Sequence, residues 1–264
     1  MNYTIGTKSA PCTLVIQLSS LTPVLLRVQV LDPTLSHTVL ADRDIQVLPG
    51  QAQDCVIPMP VSPWKALVRI VDQGPTAGSD SFKVISMKTT ELRTYRAAID
   101  WDNAEIKQAI SLGKRFCYNA GWLPASADGQ AYCSPDMSLK LIYLPSLVDP
   151  KSGKESVTPM RISQSTSVME GSQKLCIPYT VPGRAVMFYH EFSHKFENQQ
   201  ANWELEADLN GLTIYLALGF SKYEALQIYT TIFKRVDSPE NRDRLAHIEN
   251  FINNFEHFIS KSKL

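Results

Sequence analysis

The chain has 264 residues, of which 44% are hydrophobic and 20% charged, the range of a globular protein with room for one large domain or two ordinary ones. Its 26 basic residues balance its 26 acidic ones, so no net field favours nucleic acid or an anionic membrane as a partner. No stretch approaches the roughly eighteen apolar residues needed for a membrane span, and the first residues, MNYTIGTKSAPCTLVIQL, lack the charged-then-apolar order of a signal peptide.

Residues 1–90 read as strands. Cys12–Leu18, Val24–Leu31, Ile45–Leu48, Cys55–Met59, Ala66–Val71 and Phe82–Met87 are short and rich in β-branched residues, with turn signals at Asp32-Pro33, Pro49-Gly50 and Gly74-Pro75 between them. Short strands at this spacing predict an N-terminal β-sandwich, a docking or spacer domain through which the chain could join a homo-oligomer or a larger assembly. Trp64, just before a strand, is expected to be a core or edge-sealing aromatic. Five cysteines (Cys12, Cys55, Cys117, Cys133 and Cys176) stand apart without C-x-x-C spacing, which favours reduced thiols and a cytoplasmic setting over a disulfide framework, with a Cys117–Cys133 bridge as the alternative.

The pattern changes near Lys88–Arg96, and a second domain is expected over 95–264. Apolar residues at 106, 109, 110, 112 and 116 predict a helix, with Asp102 or Asn103 as its N-cap and Gly121 as its stop. Leu139–Leu144 reads as a buried strand, Val148–Val157 as a loop and Arg161–Ser167 as an edge strand, with a short segment over Leu175–Ile177. Pro182 suits the first turn of the next helix. In that helix Val186, Phe188, Phe192 and Phe196 read as packing residues and not as a pocket. Further helices are expected over Trp203–Leu218, ended by Gly219, over Lys222–Val236 with Ser221 as cap, and over Asn241–Ser260, followed by a solvated basic tail.

The chemistry is concentrated in Arg184–Gly211. His190-Glu191-Phe192-Ser193-His194 places two histidines four apart, on one helix face, where two imidazole nitrogens can reach a single ion. Glu191 is rotated about 100° from His190, so it leans toward an open coordination position, as a general base acting on metal-bound water must. Ten residues after His194 comes Glu204-Leu205-Glu206-Ala207-Asp208, in which Glu204 and Asp208 are again four apart. Glu204 can serve as third ligand, while Asp208 accepts a hydrogen bond from the far ring nitrogen of a ligand histidine. Glu206, offset by two, should point elsewhere. Ala207 and Gly211 would let the second helix approach the first closely.

The H-E-x-x-H pattern followed by E-x-E-A-D-x-x-G resembles the gluzincin metallopeptidases, in particular the CAAX prenyl proteases and their bacterial heat-shock relatives; thermolysin has the same E-x-x-x-D pair. The resemblance spans roughly 184–219. It implies a zincin-like metallopeptidase domain with a mostly helical C-terminal half, which, behind the N-terminal β-sandwich read from the strand pattern, makes the expected fold class α+β. It also implies Zn2+ held by His190, His194 and Glu204, with Glu191 catalytic. The implied substrate is a peptide or protein, paired along an edge strand at Met160–Ser165. Those relatives are membrane-embedded, and this chain shows no span. A fainter match aligns Pro239 and Arg244 with the family's H-P-x-x-x-x-R-I segment, whose histidine and arginine stabilise the oxyanion; here Ser238 stands in the histidine's place. Ser238, Arg244, His247 and Tyr215 are therefore the candidates for oxyanion or substrate contact. The alternative to an active peptidase is a zincin-fold structural or assembly protein, for example a component of a phage virion.

Overall fold

The computed structural model describes residues 1–35, 38–74, 81–149, 152–163, 166, 168–196, 203–235 and 237–261. Contacts divide the chain into two compact units, Met1–Arg93 and Thr94–Leu264. Together they make a mixed α and β protein, largely of antiparallel strand pairs, with six α-helices among the described residues.

The first unit holds seven strands: β1 (Asn2–Gly6), β2 (Cys12–Ser20), β3 (Val24–Leu31), β4 (Val39–Val47), β5 (Gln53–Met59), β6 (Lys65–Asp72) and β7 (Phe82–Glu91). They form a four-stranded sheet in the order β1-β6-β3-β4 and a three-stranded sheet in the order β5-β2-β7, every pairing antiparallel. Because side chains alternate between faces, β2 sends Cys12, Leu14, Ile16 and Leu18 inward, and β3 does the same with Val24, Leu26, Val28 and Val30. The opposite faces carry charge, as where the Arg27 guanidinium donates to Asp42 at 2.6 and 2.7 Å.

Two expectations for this unit change. β1 escaped the pattern because Asn2-Tyr3-Thr4 carries little apolar signal, and β4 begins at Val39 instead of Ile45, running through the polar Asp42-Arg43-Asp44. Trp64 is no core residue: it is 64% exposed, and its backbone carbonyl does the binding, accepting from Thr7 and Lys8 at 3.0 and 2.9 Å. Pro75 of the expected Gly74-Pro75 turn lies outside the described residues.

The second unit begins with α1 (Ala104–Asn119), capped by Asn103, whose side chain accepts from the Ile106 N–H at 3.1 Å. Four strands follow, β8 (Gln130–Cys133), β9 (Lys140–Leu144), β10 (Met160–Ser163) and β11 (Val168–Ser172), in the order β10-β11-β9-β8; only β11 and β9 run parallel. β10 therefore forms an edge, as expected, although residues 164 and 165 of the expected substrate strand are not among those described. β8 and β11 were hidden in the sequence by their polar and small residues (QAYC, VMEGS). The single turn of α2 (Gln173–Cys176) leads to α3 (Val181–Ser193), then α4 (Trp203–Ala217), α5 (Lys222–Arg235) and α6 (Pro239–Lys261).

α3 is the core helix. Thr180 caps it by accepting from the Gly183 N–H, Pro182 sits in its first turn, and nearly all its residues are buried. One is Arg184, fully buried, whose guanidinium donates to the carbonyls of Cys176, Ile177 and Cys117 at 2.8–3.1 Å. Three carbonyl acceptors compensate the loss of water around this cation. α4 ends where Gly219 turns to φ +82°, a conformation that costs glycine nothing. Ser221 then caps α5, accepting from the Tyr223 N–H at 3.2 Å. All five cysteines are free thiols, so Cys117 and Cys133 are not bridged. Among the described residues no helix is long and apolar enough to cross a membrane.

Candidate metal centre

α3 and α4 cross at Gly211. A Cβ built on that residue would stand 2.7 Å from the His190 backbone nitrogen and 2.8 Å from the Tyr189 carbonyl carbon, closer than any side chain tolerates. The missing side chain lets the start of α4 lie against the last turns of α3, and this brings Glu204 to the two histidines.

His190, His194 and Glu204 offer one donor atom each, all within 4.8 Å of one another. The His190 and His194 Nε2 atoms are 3.3 Å apart. Glu204 Oε2 lies 3.5 Å from His190 Nε2, and Oε1 lies 3.9 Å from His194 Nε2. Ligands about 2.0–2.1 Å from a tetrahedral ion stand about 3.3 Å apart by geometry. The imidazole pair meets that spacing, and the carboxylate is within a rotamer adjustment of it. The group can hold a metal ion. Glu206, two positions from Glu204, is not part of it.

Behind these donor atoms is a fixed carboxylate. Asp208 is fully buried, with Oδ1 2.9 Å from His190 Nδ1, so it orients the ring and leaves Nε2 facing the donor cluster. Its other oxygen accepts from Arg244 Nε at 2.8 Å. Glu191 lines the same cleft and is buried; removal from water, reinforced by Glu204 and Asp208, outweighs the pull of His190 and pushes its pKa up to about 7. The backbone of Ile162 in β10 acts the other way, which ties Glu191 to the sheet edge. Burial alone would depress His190, but Asp208 and Glu204 lift it well above the usual histidine range, while burial and the neighbouring His190 depress His194. Three carboxylates (Glu191, Glu204 and Asp208) face one guanidinium. With both imidazoles neutral, as ligation requires, and all three carboxylates ionised, the surplus is two negative charges, which would complement a divalent cation.

The cleft measures about 230 Å³. Besides these polar groups its walls include Val186 and Met187 of α3, Pro159 and Met160 at the start of β10, and Tyr229, Ile232 and Phe233 of α5. Val186 is thus a cleft residue, contrary to the expectation that it only packs; Phe188 and Phe192 are fully buried core, as expected.

The four candidates for oxyanion or substrate contact separate. Arg244 lines the cleft, but two of its three guanidinium nitrogens are directed at carboxylates: Nε and one terminal nitrogen at Asp208, and the same terminal nitrogen at Glu204, 3.3 Å away. Ser238 does not line the cleft. Its hydroxyl accepts from the Asn241 N–H at 3.1 Å, which makes it the N-cap of α6 ahead of Pro239. His247 is exposed on α6, 3.7 Å from Asp243. Tyr215 is fully buried, stacked on Phe220 with its hydroxyl donating to the Ser221 carbonyl at 3.0 Å. Tyr229, Phe233 and Asn241, which do line the cleft, carried no motif in the sequence; only the packing of α5 and α6 against α3 and α4 brings them there. No protein-family model, no curated protein and no solved structure matches the chain.

Proposed function

We propose that the protein is a zinc-dependent peptidase, built as an N-terminal β-sandwich joined to a zincin-like domain. The observation that carries this reading is the closeness of the His190–His194–Glu204 donor atoms to a cleft whose lining includes His190, Glu204, the buried Glu191 carboxylate and Met160 at the start of β10. Two imidazoles and one carboxylate suit zinc, and three protein donors leave a coordination position open.

Bound zinc would supply Lewis-acid polarisation of the substrate carbonyl and acidify the attacking water. The chain's own residues do the rest. Asp208 holds His190 in the tautomer that presents Nε2. Glu191 accepts the proton as water attacks the scissile carbonyl, then returns it to the leaving amine; a carboxylate pushed toward neutral pH by burial can do both. The β10 edge gives an extended peptide a backbone to pair with, and Val186, Met187, Met160 and Phe233 offer an apolar wall to a bulky side chain beside the scissile bond. Such a cleft suits peptides with hydrophobic residues flanking the cut.

A second reading, a zincin-fold structural or assembly protein, is favoured by one observation: Ser238, which replaces the family's oxyanion-stabilising histidine, is spent as a helix cap. Loss of an oxyanion donor costs roughly 10²–10³ in rate. The deciding experiment incubates zinc-loaded protein with an unstructured protein substrate and compares Glu191→Gln. The peptidase reading expects cleavage by the parent, at least about 10²-fold less by the variant, and equal zinc content in both. Zinc-loaded parent that cleaves nothing, or a variant that cleaves as well as the parent, overturns it.

A further inference from the structure

We propose that Arg244 is a positioning residue for the metal centre: it fixes the Glu204 carboxylate in its ligating place and does not serve the oxyanion. This rests on the metal reading above and adds a role that the family resemblance does not give.

Glu204 is the weakest-held member of the donor set. It is the second residue of α4, and its side chain is 51% exposed, whereas those of His190 and His194 are 15% and 9% exposed. A half-exposed glutamate at a helix start samples several rotamers, yet a ligand must be held to within about 0.5 Å. Glu204 therefore needs a constraint from outside the donor set, and among the described residues Arg244 reaches it, at 3.3 Å.

Arg244 is itself held on three sides. Nε and a terminal nitrogen both reach Asp208 Oδ2 at 2.8 Å, and that terminal nitrogen continues to Glu204 Oε2 at 3.3 Å. Its guanidinium carbon lies 4.8 Å over the Phe233 ring, which sets the plane of the fork. Only 14% of the side chain is exposed. The buried Asp208 that orients His190 is thus also the anchor of the arginine that orients Glu204. One carboxylate and one guanidinium link two of the three ligands, and they tie α5 and α6 to a centre whose ligands come only from α3, the turn that follows it, and α4. An arginine so engaged is poorly placed to turn toward substrate.

Charge and position lead to opposite expectations. A guanidinium beside the site repels a divalent cation, so if its charge were what mattered, removing it would tighten metal binding. If position dominates, removing it releases Glu204 and weakens binding, by about 10–100-fold for an outer partner of a metal ligand.

The experiment measures the zinc dissociation constant of the full chain by competition with a chromophoric chelator, for the parent, Arg244→Met and Arg244→Lys. Methionine keeps the packing on Phe233, and lysine keeps the charge but cannot donate along a planar fork to both carboxylates. The expected result is about 10–100-fold weaker zinc binding in Arg244→Met, with partial recovery in Arg244→Lys. Should Arg244→Met fail to fold, Arg244→Lys decides alone: weaker zinc binding than the parent supports the positioning role. Unchanged or tighter binding in the variants, with parent-like zinc binding otherwise intact, overturns the positioning role while leaving the metal centre standing. A parent that binds no zinc overturns both.

Discussion

The two units bury different things. The core of the strand unit is apolar, and its few buried polar residues, such as Asp32, serve turns; Asp32 accepts from the backbone and hydroxyl of Thr34 at 2.8 and 2.7 Å. The second unit buries Arg184, Glu191, Asp208 and Glu224. Burying a charge is costly unless partners compensate it, so buried charge is where structure has been shaped by something besides stability. Within that unit the two arginines separate the cases. Arg184 is satisfied by three backbone carbonyls and needs nothing further, whereas Arg244 is satisfied by carboxylates that also face the donor cluster. The first cation holds helix ends together. The second lines the cleft beside the donor group that could hold a metal ion.

The sharpest way to break this contrast is to remove ligands. His190→Ala and Glu204→Ala should each abolish stoichiometric zinc binding, measured by elemental analysis after dialysis, while Glu206→Ala retains it. Equal retention in all three would reduce the buried charges to a hydrogen-bonded core, and the units would then differ only in composition.

A large effect of the opposite kind belongs to the strand unit. Ile16 is fully buried at the centre of β2. Ile16→Ala should cost about 2–5 kcal/mol of stability in denaturant unfolding, and zinc affinity under native conditions should not move. A parallel loss of zinc would show that the metal centre depends on the strand unit.

Next in size is Gly211→Ala, which tests whether the close helix crossing builds the site. The added Cβ meets backbone atoms at 2.7–2.9 Å, which cannot swing aside as a side chain could. The helices must part, at about 1–3 kcal/mol, and Glu204 should move off the histidines. Weakened zinc binding beyond that of a control such as Ala207→Gly is the expected result. Parent-like affinity would show that α4 reaches the site without the crossing.

These variants also mark what the sequence made legible. The cluster of donors that could hold a metal ion was legible because it depends on helix periodicity and on a second helix offering Glu204 and Asp208 at the same spacing. The strands of β2 and β3 were legible because their alternation is strong. β11 was not, because Gly171 and Ser172 hide it. Nor were Tyr229, Phe233 and Asn241, whose place in the cleft depends on how α5 and α6 pack. Arg244 was singled out only by the family resemblance of its segment, and its contacts with Asp208 and Glu204 lie 36 and 40 positions away and carry no local signature.

Ser238 gives the smallest and most discriminating effect. Its alignment with an oxyanion-stabilising histidine suggested chemistry, whereas its hydroxyl accepts from the Asn241 N–H ahead of Pro239, the arrangement of an N-cap followed by proline in the first turn. A cap and an oxyanion donor respond differently to substitution. Ser238→Ala should cost about 1 kcal/mol of stability, and Ser238→Asp, an equally good cap with no proton to donate, should restore it. Any peptidase activity should follow neither change, since the residue does not line the cleft. If Ser238→Ala and Ser238→Asp both lose activity at unchanged stability, the hydroxyl acts on substrate, and the cap is only its resting partner.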